Sequence, residues 1–318
     1  MHVLKKLALA ALIILVLTIV AFNIWGYITL GRLEPSATSA RDAEANRVVM
    51  VFGATGSVGD GLLKAAIEDT EVEKVYVVSR RSSPRIEAGV ASGKVQLILH
   101  QDYTDYTDIA AQLAEVNTVL WGLGTSSLNV DEETYTIIHV DFPLAFAAQW
   151  LNARTEAPMA FHYVTGMGTD PNGDAKWAQD KGRAELELAD MARGTGLRTF
   201  AYRSAFVRPT SEQANLGHYT LETLLRPGYL VISASDLGNA MLEISARTGE
   251  LANGTIIDNA DSIAYARAYL NKAHCSRLAA GERSCLIAAC RGCSAGCRRW
   301  FGFGPAVPSG KVYLSRST

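Results

Sequence analysis

The chain has 318 residues, of which 48% are hydrophobic, and its formal net charge at pH 7 is −2. This length is enough for one large domain with appendages. A charge balance this close to zero gives no electrostatic reason to expect a nucleic-acid partner. The two ends of the chain differ in composition from the rest.

The N-terminal end is strongly apolar. Residues 7–31 contain no charged side chain, and two lysines precede them. About 20 helical residues span the core of a bilayer, and Trp25 and Tyr27 near the far end are typical of a membrane interface. We therefore predict that residues 1–31 are a single-pass membrane anchor with a short flank. A cleaved signal peptide is the alternative, although its apolar core is usually shorter. Basic residues flank both ends, so the orientation stays open.

Residues 32–46 are polar and are predicted to be a linker to the main domain at 47–272. The tail at 273–318 is basic and holds all five cysteines, which are Cys275, Cys285, Cys290, Cys293 and Cys297. The run CLIAACRGCSAGC has a C-x4-C-x2-C spacing that also occurs in iron–sulfur loops. Zinc binding, acylation and disulfides are further alternatives to the weakly ordered tail that we favour. We expect no metal site and no disulfide-linked core.

Between the two ends, strand-like and helix-like runs alternate. The strand-like runs are RVVMVF, KVYVVS, KVQLIL, NTVLWGL, AFHYVT and LRTFAYR, and helical runs such as SVGDGLLKAAIED and DEETYTIIHVDFPLAFAAQWLNA lie between them. Apolar strands that alternate with helices indicate a parallel sheet covered on both faces. We predict an α/β fold with a doubly wound, mostly parallel sheet, preceded by one transmembrane helix.

A glycine-rich turn follows the first strand and opens the first helix of this series, with the sequence VFGATGSVGDGLL. In a Rossmann sheet such glycines allow a tight turn, a close approach of the backbone to a pyrophosphate, and close helix packing. The helix N-terminus then offers N–H groups and partial positive charge to the phosphates. The context of strand, turn and helix supports dinucleotide binding. The predicted contacts are Gly53, Thr55, Gly56, Ser57, Val58 and Gly59.

Three later positions complete the predicted cofactor site. Arg80 and Arg81 follow the second strand, where NAD-preferring sites usually carry an acid. Guanidinium groups suit a 2′-phosphate, so we predict NADP rather than NAD. Asp102 follows the third strand and could accept the adenine amino group, or cap the next helix. Gly122 follows the fourth strand, where it would let backbone and cofactor come close.

The order of VFGATGSVG, SRR, LWGLGTSS, FHYVTGMGTD, WAQDKGRAE and LRTFAYRSAFVRP resembles that of the atypical short-chain dehydrogenase/reductases, nearest the TIP30/CC3-like and NmrA-like branch. The resemblance covers roughly residues 47–260. It implies a nicotinamide cofactor and a catalytic Ser, Tyr and Lys, with Tyr and Lys four residues apart on a helix. Lys181 then matches the Lys, which binds the nicotinamide ribose, and Thr165 matches the Ser. Arg203 matches an Arg of the family.

The family's Tyr position holds Trp177. An indole N–H donates a hydrogen bond but is no general acid near neutral pH. Tyr163, His162, Asp180 and Lys181 are other groups that could supply a proton, although a packing role is the simpler interpretation of Tyr163. Two functions stay open. One is a membrane-anchored, NADP-dependent oxidoreductase that acts on an unknown, apolar carbonyl or alcohol. The other is a non-catalytic NADPH-binding regulator or scaffold. Neither the substrate nor the oligomeric state is predicted.

Overall fold

The computed structural model describes the backbone of residues 2–279 and the side chains of residues 5–272. The predicted cysteine tail therefore lies almost wholly outside the described residues. The strands are β1 (Val48–Phe52), β2 (Lys74–Ser79), β3 (Val95–Leu99), β4 (Thr118–Trp121), β5 (Met159–Val164), β6 (Leu197–Arg203), β7 (Phe206–Arg208), β8 (Val231–Ser233) and β9 (Thr255–Asp258). The helices are α1 (His2–Thr29), α2 (Ser57–Glu68), α3 (Pro84–Ala91), α4 (Ala110–Glu115), α5 (Glu132–Thr136), α6 (Phe142–Ala153), α7 (Lys176–Met191), α8 (Leu216–Leu225), α9 (Ala234–Ala246) and α10 (Asn259–Ala279).

The main sheet has seven strands in the order β3-β2-β1-β4-β5-β6-β9. Every strand pairing described in it is parallel, so the predicted doubly wound fold is confirmed. The chain reverses its direction of winding between β1 and β4. In open parallel sheets a ligand crevice lies outside the carboxyl ends of the strands at such a point. Strands β7 and β8 form a separate parallel pair.

Helices cover both faces of the sheet, and each face has its own apolar core. All five residues of β1 are buried, as expected for a central strand of a parallel sheet. One core joins the sheet to α2 and α9, with Leu62 and Met241 among its members. The other joins it to α4, α6 and α7 and is rich in aromatic rings. Phe52 and Trp121 stack there with ring centroids 4.3 Å apart.

The single long helix that the sequence suggests over residues 131–153 is interrupted by a π-helical turn at Ile137–Asp141. Pro143 has no N–H, so the carbonyl of His139, four residues earlier, loses its usual helical donor. The hydroxyl of Tyr163 donates to that carbonyl instead, at 2.6 Å. A π-turn of this kind is common at functional sites, and this one lies near the carboxyl end of β4, where His139 contacts Thr125.

The N-terminal helix α1 contains a segment, Lys5–Thr29, that is long and apolar enough to cross a membrane. The part of the helix before Asn23 is largely exposed. Residues 32–46, predicted as a linker, run along the main domain. The backbone N–H groups of Arg32 and Leu33 donate to Asp261, and Arg41 pairs with the buried carboxylate of Glu243.

Candidate functional site

The glycine-rich turn between β1 and α2 is closely packed on its inner side and open on its outer side. Gly53 has a φ of +74°, and a Cβ there would lie 2.5 Å from the backbone of Gly122. A Cβ on Gly59 would lie 2.1 Å from the carbonyl oxygen of Gly53. A Cβ on Gly56 would meet only that same oxygen, at 3.4 Å. Gly56 is exposed, so its outer side leaves room for a ligand to touch the backbone.

The first turn of α2 presents donors to this open side. Gly56 is the N-cap residue and supplies no side-chain cap, so the first N–H groups of the helix, at Ser57 and Val58, have no intrahelical acceptor. Such groups bind phosphate well. The only acid of this turn, Asp60, accepts hydrogen bonds from Arg85 at 2.8 and 3.0 Å. Its charge is therefore compensated, and the turn fits the pyrophosphate of a dinucleotide.

A cleft of about 370 Å³ extends from the glycine turn to the end of β2. It is lined by Gly53, Thr55, Ser79, Arg80, Arg81, Tyr103 and Leu123. Arg80 and Arg81 are exposed, and neither forms an ion pair with another residue in the described part of the chain. Arg85, the third arginine nearby, is held by Asp60. Two arginines are thus available at the position where a 2′-phosphate would lie.

Asp102 does not line this cleft. Its carboxylate accepts hydrogen bonds from the backbone N–H and the hydroxyl of Thr104, at 2.9 and 2.6 Å. These bonds keep the pKa of Asp102 below its usual range. The carboxylate closes a local turn, and the following 3-10 helix has Tyr106, not Asp102, at its N-cap. The wall of the cleft at this point is the ring of Tyr103.

Trp177 lies in the first turn of α7 and is half-buried. It lines a second cleft, of about 180 Å³, together with Tyr135 and residues 127–132 of the loop that follows β4. Gly168 adopts a φ of +89°, and a Cβ there would lie 3.2 Å from the indole ring. Trp177 therefore faces a cleft at the carboxyl end of the sheet rather than the core.

Lys181 lies one helical turn after Trp177, as expected for residues four apart. Its ammonium group donates a hydrogen bond to the backbone carbonyl of Thr165. Burial lowers the pKa of Lys181 to about 8, against an opposing effect of the Glu185 charge. The side chain therefore reaches the carboxyl end of β5, one helical turn from Trp177.

The hydroxyl of Thr165 is directed into the protein. Thr165 is 2% exposed, and its Oγ1 donates to Oε1 of Glu185 at 2.7 Å. The same carboxylate accepts from Nε and Nη2 of Arg203, at 3.2 and 2.6 Å. The Thr165 hydroxyl is thus committed to a buried ion pair, and it does not point into the cleft that Trp177 lines.

The other groups weighed as proton donors also lie away from the cleft. Tyr163 is 1% exposed, and its pKa is raised well above the usual range by burial. His162 is fully buried between the hydroxyls of Tyr202 and Ser245, at 2.8 and 2.6 Å. Asp180 accepts from Thr136 at 2.7 Å and pairs with Lys176. Each of these side chains is occupied by structural contacts.

The structure brings two further side chains to the site that the sequence analysis did not single out, Tyr135 and His139. Tyr135 lines the cleft with Trp177, and burial raises its pKa to about 12. The rings of Tyr135 and His139 are tilted with centroids 4.2 Å apart. Burial, helped by the nearby Lys181 charge, lowers the pKa of His139 to about 4. No sequence motif marks these residues.

Comparisons of the sequence with characterised proteins give distant relatives. The chain is 24% identical over 209 residues to Leucinostatins biosynthesis cluster protein T of Purpureocillium lilacinum, covering 65% of this chain and 74% of that protein. It is 28% identical over 141 residues to the mitochondrial protein FMP52 of Eremothecium gossypii, covering 44% of this chain and 58% of that protein. No protein-family model matches the chain.

Solved structures share the fold at low sequence identity. A putative short chain dehydrogenase from Pseudomonas syringae superposes with a TM-score of 0.52 at 16% identity, covering 70% of this chain and 98% of that one. A UDP-glucuronic acid 4-epimerase from Bacillus cereus, solved in complex with NAD, gives 0.51 at 13% identity, covering 66% and 76%. A Serratia marcescens short-chain dehydrogenase/reductase gives 0.51 at 16% identity, covering 68% and 98%. The chain therefore shares its fold with these dehydrogenase and epimerase structures.

Proposed function

We propose that this protein is a membrane-anchored, NADP-dependent oxidoreductase of the atypical short-chain dehydrogenase/reductase type, acting on an apolar carbonyl or alcohol. The observation that carries the proposal is the pair of exposed arginines, Arg80 and Arg81, at the rim of a cleft that begins at the glycine turn. A placement in the TIP30/CC3-like branch is part of the same proposal and rests on the order of the sequence motifs.

The residues of the glycine turn and of the end of β2 suit a pyrophosphate and a 2′-phosphate. The backbone from Gly53 to Gly59 would hold the pyrophosphate, Arg80 and Arg81 would hold the 2′-phosphate, and Lys181 would hold the nicotinamide ribose. The bound cofactor would supply or accept the hydride. The structure of an epimerase of the same fold in complex with NAD supports the choice of a nicotinamide cofactor, and the two arginines favour the phosphorylated form.

Proton transfer requires a group other than the family's tyrosine. Trp177 cannot supply a proton near neutral pH, and Thr165 donates to Glu185. We assign the proton to the phenol of Tyr135, which lines the same cleft as Trp177. Because burial raises its pKa to about 12, Tyr135 stays protonated at neutral pH and can donate to a substrate oxygen. The charge of the Asp180 carboxylate acts in the same direction as burial and also keeps the phenol protonated.

Two observations favour a second function, an NADPH-binding regulator or scaffold without turnover. The family's acid is absent at Trp177, and the Thr165 hydroxyl is turned into the Glu185–Arg203 ion pair. In that case the cofactor would act as a ligand that stabilises the fold. The two functions share the cofactor site and differ only in whether a substrate oxygen receives a proton.

A reductase screen in detergent, with NADPH and a panel of medium- and long-chain aldehydes and ketones, separates the two functions. The oxidoreductase proposal predicts NADPH oxidation that Tyr135→Phe lowers by about 100-fold, the scale of one general acid. Tyr219→Phe removes a phenol on a different helix and should have no effect. Trp177→Tyr restores the family's spacing and should raise the rate. Unchanged activity in Tyr135→Phe would rule out the assigned donor, and no activity in any variant would favour the non-catalytic function.

The membrane anchor is tested separately. We propose a single-pass membrane location through residues 7–31, supported by the apolar exposed helix α1. The full chain should stay in the membrane pellet after extraction at alkaline carbonate pH, because about 20 apolar residues resist extraction. A mature protein that lacks residues 1–40 would identify the segment as a signal sequence instead.

A further inference from the structure

Helix α8 (Leu216–Leu225) is partly buried along the side that carries His218 and Glu222 and is exposed along the other side. Its only charged residue, Glu222, pairs with Arg208 at 2.7 Å. Asn215 and His218 bind each other in a reciprocal capping box, with the Asn215 N–H donating to Nδ1 of His218 at 3.1 Å. No residue of this helix is buried. Glu222 and His218 thus have polar partners already, and the hydroxyls of the exposed Thr220 and Thr223 donate to carbonyls of the helix itself, at 2.9 and 2.8 Å.

The outer face of α8 consists mainly of leucines and of threonines whose hydroxyls are bonded to the helix backbone. Leu216, Leu221 and Leu224 are 82%, 39% and 43% exposed, and Thr220 lies between them on the same face by helical spacing. Tyr219 lies to one side, under the guanidinium of Arg208 at 5.1 Å. A surface helix of a soluble domain normally has the opposite arrangement, with its leucines inside and its charges in water. The outer face is therefore suited to an apolar environment.

The C-terminal end of α8 is joined to the N-terminal helix α1. Nδ2 of Asn23 donates to the carbonyl of Leu224 at 2.9 Å, and the N–H of Gly228 donates to Oδ1 of Asn23 at 2.7 Å. The rings of Tyr27 and Tyr229 stack with centroids 5.8 Å apart. These contacts hold α8 beside the last two turns of α1, at the end of its apolar segment.

The length of the part of α1 that precedes Asn23 indicates where along the helix the membrane surface lies. Leu7–Phe22 is the apolar part that precedes the contacts with α8, and its 16 residues extend about 24 Å as a helix. A bilayer core is about 30 Å thick. The hydrocarbon must therefore reach past Phe22, to the level at which Asn23 meets α8. Trp25 and Tyr27, which suit the interface, lie at that same level.

We propose that the outer face of α8 is embedded in the lipid bilayer, at the boundary between acyl chains and headgroups, beside the membrane end of α1. The proposal rests on the membrane anchoring proposed above. In this arrangement Leu216, Leu221 and Leu224 contact acyl chains, and the exposed Arg226 just after the helix lies among the phosphates. The main domain is then held to the surface at two places, α1 and α8, and keeps a fixed orientation to it.

Site-specific photo-crosslinking of the full chain tests this arrangement. The chain is reconstituted in phosphatidylcholine vesicles with p-benzoylphenylalanine in place of Leu221 or Leu224, and adducts are identified by mass spectrometry. Leu186, which is 58% exposed on α7, is the matched control, and Leu15 within α1 is the control for insertion. All four positions are exposed leucines on helices, so the substitutions should not disturb folding.

The expected result is lipid adducts at Leu221 and Leu224 at about tenfold the yield at Leu186, because only an embedded side chain meets acyl carbons. Adducts at Leu15 without adducts at Leu221 and Leu224 would overturn the role of α8 and leave the anchor intact. An absence of lipid adducts at Leu15 would overturn the anchor itself. Adducts of Leu221 and Leu224 to protein rather than lipid would show that α8 binds a partner chain, and would also overturn the proposal.

Discussion

The proposed cofactor cleft has two halves, one formed by backbone and the other by side chains. The half at the glycine turn is formed by backbone, with Gly53, Gly59 and Gly122 in contact, and its two free arginines stand at the rim. The half at α7 is formed by side chains, with Trp177 at the tyrosine position of the family that the sequence resembles and the Thr165 hydroxyl bound to Glu185. In the proposed function, dinucleotide binding would depend on the first half and proton transfer on the second. The chemistry of the second half could then change while the cofactor is retained.

The largest effect on stability and on cofactor binding is expected from a substitution in the glycine turn. In Gly59→Ala the new Cβ would lie 2.1 Å from the carbonyl oxygen of Gly53, so α2 must move away from β1. We expect a loss of about 3 kcal/mol in the free energy of unfolding, the upper range for overpacking, and no cofactor binding. Urea unfolding and NADPH titration measure the two effects.

The matched control is Gly249→Ala, because a Cβ at that position meets no atom within 4 Å. It should leave both the unfolding midpoint and the NADPH affinity unchanged. If Gly59→Ala were equally harmless, the close contact between α2 and the glycine turn would not exist.

Lys181, which is proposed to hold the nicotinamide ribose, should have the next largest effect. Lys181→Ala removes a charged hydrogen bond to the ribose and should weaken NADPH binding by about 1–3 kcal/mol. Arg183→Ala is the control, since Arg183 lies on the same helix, pairs with Glu187 at 3.9 Å and lines neither cleft, so it should change the affinity little. Equal effects of the two substitutions would show that Lys181 makes no contact with the cofactor.

The pKa of Lys181 adds a dependence on pH. Burial holds this pKa at about 8, so the side chain is charged below that pH and neutral above it. NADPH affinity should therefore fall as the pH rises through about 8, by about 1 kcal/mol for the loss of charge from one hydrogen bond. Lys181→Arg keeps its charge and should give a flat profile between pH 7 and about 9. A flat profile in the unmodified protein would contradict the assigned contact.

Thr165 is expected to have the smallest effect on the cofactor. Its hydroxyl donates to Glu185, so Thr165→Val should destabilise the fold by about 1 kcal/mol and leave the NADPH affinity unchanged. Thr165→Ser keeps the donor and should restore stability. If Thr165→Val instead lowered kcat for a carbonyl substrate while Thr165→Ser did not, the hydroxyl would belong to the reacting half of the cleft.

The fold and the backbone half of the site could be predicted because their signals are local. The strand and the turn are both predicted by a few neighbouring residues, namely the run VVMVF and the glycines and helical run that follow it. The contacts of the other half are not local. Thr165, Glu185 and Arg203 meet from the end of β5, from α7 and from β6. Tyr135 and Trp177, which line one cleft, come from α5 and α7. The sequence also does not predict the outward leucine face of α8, because a short apolar run does not indicate which face of the helix is buried.

The most direct test of the account is a calorimetric titration of the full chain in detergent with NADPH and with NADH. We predict one binding site for each and an NADPH affinity at least about tenfold higher, which corresponds to about 1.4 kcal/mol. Arg80→Ala combined with Arg81→Ala should make the two affinities equal, whereas Arg183→Ala combined with Arg193→Ala should preserve the difference. Equal affinities in the unmodified protein, or no binding of either nucleotide, would contradict the account.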